Sequence, residues 1–272
     1  MLGYISRKFL ELVLTLLLVS LIIFLLLRVI PGDPAQLILG VNASPESLAE
    51  LRDKLGLTEP LTVQYLSWLK GIFTGSLGES IFYEKGVQSL ILSRLQVTLP
   101  LTFLATLLSV TIAVPLGLLA ATHHKKATDF GVIAFSQLGL SIPAFWLGIL
   151  GLLLFSLKLN LLPAGGFTEW GTNPVAGLKS LVLPVLTLTV IQSAALTRMA
   201  RSSALDVMRE DYVSAARGKG LPEVKVIYKH VLTNGFISIL TLIGLQVGQL
   251  LAGAVKVETV FHLPGLGRLR IL

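Results

Sequence analysis

Five stretches of this chain are almost wholly apolar over about the twenty positions that a helix needs to cross a bilayer: residues 9–27, 98–122, 130–157, 178–199 and 236–257. The first follows Arg7 and Lys8 and resembles the start of a signal peptide. Its apolar run exceeds a usual signal core and no small-x-small cleavage site follows, so it reads as a retained helix. Pro115, Pro143 and Pro184 fall inside the second, third and fourth stretches. Each frees a backbone carbonyl and kinks its helix, which implies neighbours that satisfy the freed group. The pattern predicts an all-α integral membrane bundle with five spans, in one transmembrane domain over residues 1–272.

Two polar segments interrupt the spans. In residues 28–97, Ser44-Pro45-Glu46 reads as an N-cap, a first-turn proline and a first-turn acid, with Leu48, Leu51 and Leu55 on one face and Gly56 as the stop. Leu61, Tyr65, Trp68, Leu69 and Ile72 repeat at the same spacing and predict a second helix with an interfacial aromatic face. The plain reading is a pair of surface helices covering the mouth of the bundle, and the alternative is a docking surface for a protein. In residues 200–235, Arg198 to Gly218 reads as one helix, which Gly220 and Pro222 stop. Val224, Ile227, Tyr228, Val231 and Leu232 give the next helix an apolar face. The small pair Ala215-Ala216 invites close approach by another surface. A helix, a sharp turn and a second helix make a rigid plug.

Composition sharpens this picture. Of 272 residues 53% are hydrophobic and 14% charged, too apolar for a soluble enzyme of this length. The absence of Cys excludes disulfides, thiolate metal sites and Cys nucleophiles. The net charge of +7 does not point to nucleic acid, because the basic residues flank spans. Arg7, Lys8, Lys125, Lys126, Arg198, Arg201, Arg209, Arg217, Lys219, Lys225 and Lys229 fall on one side, while residues 28–96 balance six basic residues against seven acids. The N-terminus is therefore expected in the cytoplasm, with 28–97 outside and 200–235 inside.

Catalytic chemistry is not visible. Lys158, Lys179, Lys256 and Glu258 lie near span ends, and no mid-span carboxylate offers an ion-coupling site. Gly218-Lys219-Gly220 lacks the Ser or Thr and the preceding strand of a phosphate cradle, so ATP would be hydrolysed by another protein. His123 and His124 are adjacent, which suits a basic turn better than one metal. His230 and His262 have no partner at ligand spacing, and no Ser/His/Asp set or carboxylate pair shares a span. A transport subunit without its own enzymatic activity or cofactor is the leading reading. A secondary carrier and an intramembrane enzyme are the rivals.

Ser214-Ala215-Ala216-Arg217-Gly218-Lys219-Gly220 resembles the Glu-Ala-Ala-x-x-x-Gly loop of ABC importer permeases, with Ser214 for the family glutamate and Thr233 where many sugar and amino-acid permeases have proline. Asp211-Tyr212-Val213, Gly220-Leu221 and His230 to Asn234 resemble the dipeptide/oligopeptide/nickel branch. So do Pro31-Gly32-Asp33-Pro34, Gly75 to Gly78, Leu162-Pro163, and Val257 to Phe261 with Leu263-Pro264-Gly265-Leu266-Gly267. The resemblance covers nearly the whole chain in order. It implies a type I permease bundle in the inner (plasma) membrane, paired with a second, similar permease. In that family a short coupling helix enters a groove on each ATPase subunit and an external solute-binding protein delivers solute, so that ATP-driven closure of the ATPases switches the bundle from inward-open to outward-open. Ser214, Ala215, Ala216, Gly220 and Leu221 are on that account the coupling residues, with ATP bound by the partner. Residues 31–95 help receive the binding protein. The family's sixth span, after Leu263-Pro264-Gly265, is not found by Leu272, so five spans are expected here. Peptide and nickel, free or chelated, both fit spans that offer Ser, Thr, Gln and Asn.

Overall fold

A computed structural model describes residues 2–29, 33–40, 43–80, 83–252 and 254–269. Pro31 and Gly32 of the first motif and the terminal Arg270 to Leu272 lie outside the described residues. The chain divides into two compact units, one through Leu90 and one over Ile91–Leu272.

In the first unit, α1 (Leu2–Val29) carries, within Gly3–Leu26, the most apolar window of the candidate spans among the described residues. Asp33 caps α2 (Pro34–Leu39) by accepting from the Ala35 N–H and binds Arg52 of α3 (Pro45–Lys54). The Ser44 side chain accepts from the Ser47 N–H at 3.2 Å and Pro45 opens α3, as the cap motif predicts. Gly56 follows with φ +65°. In α4 (Leu61–Thr74), the Tyr65 hydroxyl meets Ser20 Oγ at 2.8 Å and its ring lies between Phe24 and Trp68, so the aromatic face packs on α1. A two-residue hairpin, β1 (Glu79–Ser80) with β2 (Lys85–Gly86), closes the unit.

The second unit is built around α8 (Pro174–Met208), half of whose apolar window is buried. It touches α6 (Ala127–Ser141), α7 (Ala144–Gly151) and α11 (Thr233–Leu251). With α5 (Val87–Thr122), α8 shares cores at two levels: Val97, Leu101 and Ala105 with Leu181 and Val185, then Ala113 with Leu196, Ala200 and Ile239 of α11. Among the described residues four helices are long and apolar enough to cross a membrane, or five if the bent pair formed by α6 and the helix over 144–158 counts as one.

Pro115, Pro143 and Pro184 behave differently. Pro115 and Pro184 lie inside continuous helices. At Pro143 the expected kink is a 95° break, with Ile142 (ψ 124°) and Pro143 (ψ 136°) both extended. Proline pushes its predecessor out of the α region, and here packing of α7 on α8 and on α12 (Val255–Val260) holds the new direction. A Cβ on Gly148 would meet the Phe261 ring at 3.1 Å. Beyond α7 the helix continues with π geometry over Leu152–Lys158.

Candidate functional site

The segment after α8 folds as the sequence motif requires, with one correction. The helix expected over 198–218 is two helices. The Arg209 and Glu210 N–H groups turn back to Asp206 and Val207, Glu210 is extended (ψ 143°), and α9 (Asp211–Gly218) starts afresh with Asp211 in its first turn. Glu210-Asp211 was the overlooked signal, since acids favour a helix N-terminus.

Gly220 closes α9 with φ +77°. The Gly220 N–H donates to the Arg217 carbonyl at 2.9 Å and the Leu221 N–H reaches back to Ala216 at 3.4 Å, satisfying carbonyls that the helix end leaves free. Pro222 (ψ 141°) opens α10 (Glu223–Lys225), which runs through a π stretch over Val226–Leu232 into α11. Arg217 and Glu223 pair across the turn, Nη2 to Oε1 at 2.7 Å, and that hydrogen bond raises the Arg217 pKa above its usual value. Both side chains are substantially exposed, so the pair adds little stability.

The five candidate residues divide into two sets. Ser214, Ala215 and Gly220 are exposed, with Asp211, Tyr212, Gly218 and Lys219 beside them. Ala216 instead faces inward and Leu221 is partly buried. With Val213 they pack against Leu118 and Ala121 of α5, Ala204 of α8, Val226 and Val231. Val213 and Ala216 are three apart on one helical face, so the opposite face is left free. The face expected for the following helix is also corrected. Ile227, Val231 and Leu232 pack inward as expected, but Val224 and Tyr228 are exposed, and Val226 (0%) is buried together with Val231 (1%). Their spacing of five follows from the wider π turn, which shifts the inward face away from the α periodicity.

Three polar features escaped the sequence reading. Asp129, 2% exposed, binds Arg201 through both carboxylate oxygens and lies 3.1 Å from His124 Nδ1, so His124 belongs to an ion cluster as well as to a basic turn. Glu258, treated as a residue at a span end, is fully buried. It accepts from Thr98 Oγ1 at 3.2 Å and the Arg268 N–H at 3.0 Å, and Gly265 and Gly267 leave it room. Between α5, α8 and α11, Ser109 Oγ lies 3.3 Å from Gln192 Oε1, and Gln246 Nε2 donates to the Gln192 carbonyl at 3.4 Å. All three features join residues more than fifty positions apart or fall at helix ends, where spacing carries no signal. His230 lies beside the Tyr212 ring at 6.4 Å, and no metal-binding group of three exists among the described residues.

Long apolar helices gathered on α8 define a multi-pass membrane protein, with the exposed face of α9 among its polar features. The chain belongs to the family described as binding-protein-dependent transport system inner membrane component. That family's model matches residues 113–272, and the model of its N-terminal part matches residues 1–102. The chain is 38% identical to the di/tripeptide transport system permease protein DppB of Pseudomonas aeruginosa, covering 98% of this chain and 86% of that one. It is 38% identical to the glutathione transport system permease protein GsiC of Salmonella choleraesuis (100% and 86% covered), and 36% to the dipeptide transport system permease protein DppB of Alkalihalophilus pseudofirmus (98% and 86%). It is thus a membrane subunit of an ABC importer, which works with a solute-binding protein and with a separate ATPase that hydrolyses the nucleotide.

Proposed function

We propose that this chain forms, with a second permease of the same family, the membrane path of a di- or oligopeptide importer, and that α9 is its coupling helix. The observation that carries the reading is the division of α9 into two faces. Val213 and Ala216 anchor it to α5 and α8, which leaves Ser214, Ala215 and Gly220 free to enter a groove on the ATPase. Ala216 and Leu221 then serve by holding the helix in place. The basic residues around the hairpin, among them Arg198, Arg209, Lys225 and Lys229, favour a cytoplasmic location for it and for the N-terminus.

Peptide as solute is supported by the relatives, whose names are dipeptide, di/tripeptide and glutathione permeases. Buried Ser109, Gln192 and Gln246 between α5, α8 and α11 offer hydrogen-bonding groups of the kind a peptide solute needs. Calorimetry of the cognate binding protein with a set of peptides, nickel and nickel chelates tests the assignment. Peptide binding is expected, and binding of nickel alone overturns it.

A further inference from the structure

We infer that Asp129 and Arg201 are a positioning pair for transport: they hold α6 to α8 as one body, so that movement imposed at α9 is carried to the broken pair of helices over 127–158. The inference rests on the importer reading above.

The Asp129 carboxylate is fully engaged. Oδ1 accepts from Arg201 Nε at 2.5 Å, and Oδ2 accepts from Arg201 Nη2 at 2.8 Å and from the Lys125 N–H at 2.9 Å. His124 Nδ1 lies 3.1 Å from Oδ2 and 3.2 Å from Arg201 Nη2, so the turn between α5 and α6 is tied in as well. Arg201 stands one turn from Ala204, which packs in the same core as Val213 and Ala216 of α9. At this level α5 and α8 touch through backbone. A Cβ on Gly117 would lie 2.9 Å from the Arg201 nitrogen and from the Thr197 carbonyl oxygen. Toward the other end of α6, a Cβ on Gly139 would lie 2.9 Å from Ala194 Cβ. α6 is therefore fixed to α8 near both ends, by charge at one and by small residues at the other. It then leads into α7 through the 95° break.

Apolar contacts alone permit sliding. A bidentate pair does not, because parting it in a low-dielectric site leaves two uncompensated charges. Stability is a poor explanation for the pair, since well-packed apolar residues in place of a buried ion pair are often as stable. Direction is what the pair adds. Such a chain of contacts becomes a coupling route only when breaking one link changes coupling.

The Cys-free chain allows a direct test. Spin labels on Lys126→Cys and Arg198→Cys in the purified chain are expected to show one narrow distance, broadened by Asp129→Asn and by the apolar pair Asp129→Leu with Arg201→Met. An unchanged narrow distance in these variants overturns the inference. In vesicles holding the full complex, the apolar pair is expected to assemble, melt as the unaltered chain does and hydrolyse ATP. Its tripeptide uptake per ATP should fall about tenfold, the scale of ordinary coupling energies. Unchanged uptake per ATP overturns the positioning role. If the apolar pair does not assemble, Arg201→Lys, which keeps the charge and loses the fork, is read the same way. An unaltered complex that hydrolyses ATP without importing any peptide overturns the peptide reading instead, and the spin-label distances then decide the pair.

Discussion

Gly220 has a left-handed backbone, φ +77°, with open space where a side chain would sit, whereas Gly117 is helical with none. The two glycines therefore fail differently on substitution. Gly220→Val is strained but lies in an exposed turn, and is expected to cost about 1 kcal/mol of stability while abolishing most uptake. Gly117→Val forces α5 away from α8 and is expected to cost about 2–3 kcal/mol, read as a lower melting temperature of the isolated chain. Asp33 makes a pH prediction in the first unit. The hydrogen bond from Arg52, helped by the Ala35 N–H, holds its carboxyl below the usual value near 3.8. A folded pKa below the unfolded one gives stability that is present above the ordinary Asp range and lost as pH falls through the folded value. Acidification below about pH 4 should loosen the joint between α2 and α3 in proteolysis, and Asp33→Asn should do so at neutral pH. Caps and turns of this kind were legible because they act within a few residues: Ser44, Pro45 and Gly220 stand where local rules put them. Asp129 was not, since its partner lies 72 positions away.

At the scale of elements, helical periodicity located the apolar stretches but misplaced one face. It put Val224 and Tyr228 inward together with Val231, whereas Val224 and Tyr228 are exposed and the π stretch buries Val226 beside Val231. Nothing in composition marks a π turn, because the extra residue is accommodated by packing against Val213 and Leu118. The consequence is measurable. Val226→Ala should lower stability by about 2 kcal/mol, the worth of burying a valine, while Val224→Ala, at a position 67% exposed, should change it little. Thermal unfolding in detergent that ranks the two substitutions the other way would restore the α register. Pro143 teaches the same point. It shares its local rule with Pro115 and Pro184, yet it alone of these three marks a corner, where α7 packs on α8 and α12.

For the molecule as a whole, the order of apolar and polar segments carried the membrane class, and motifs spread along nearly the full chain carried the family. What the motifs did not show was the division of labour within them. The Ser-Ala-Ala run reads as one recognition string, yet Ala215 is exposed and Ala216 sits in the core. The central claim is that the free face of α9 is where the ATPase pushes. Its most direct test is cross-linking in the assembled importer, with single cysteines introduced into this Cys-free chain. Ala215→Cys should join to the ATPase subunit, with a yield that changes when ATP is added, and Ala216→Cys should not. A cross-link to the ATPase from Ala216→Cys and none from Ala215→Cys would contradict the account.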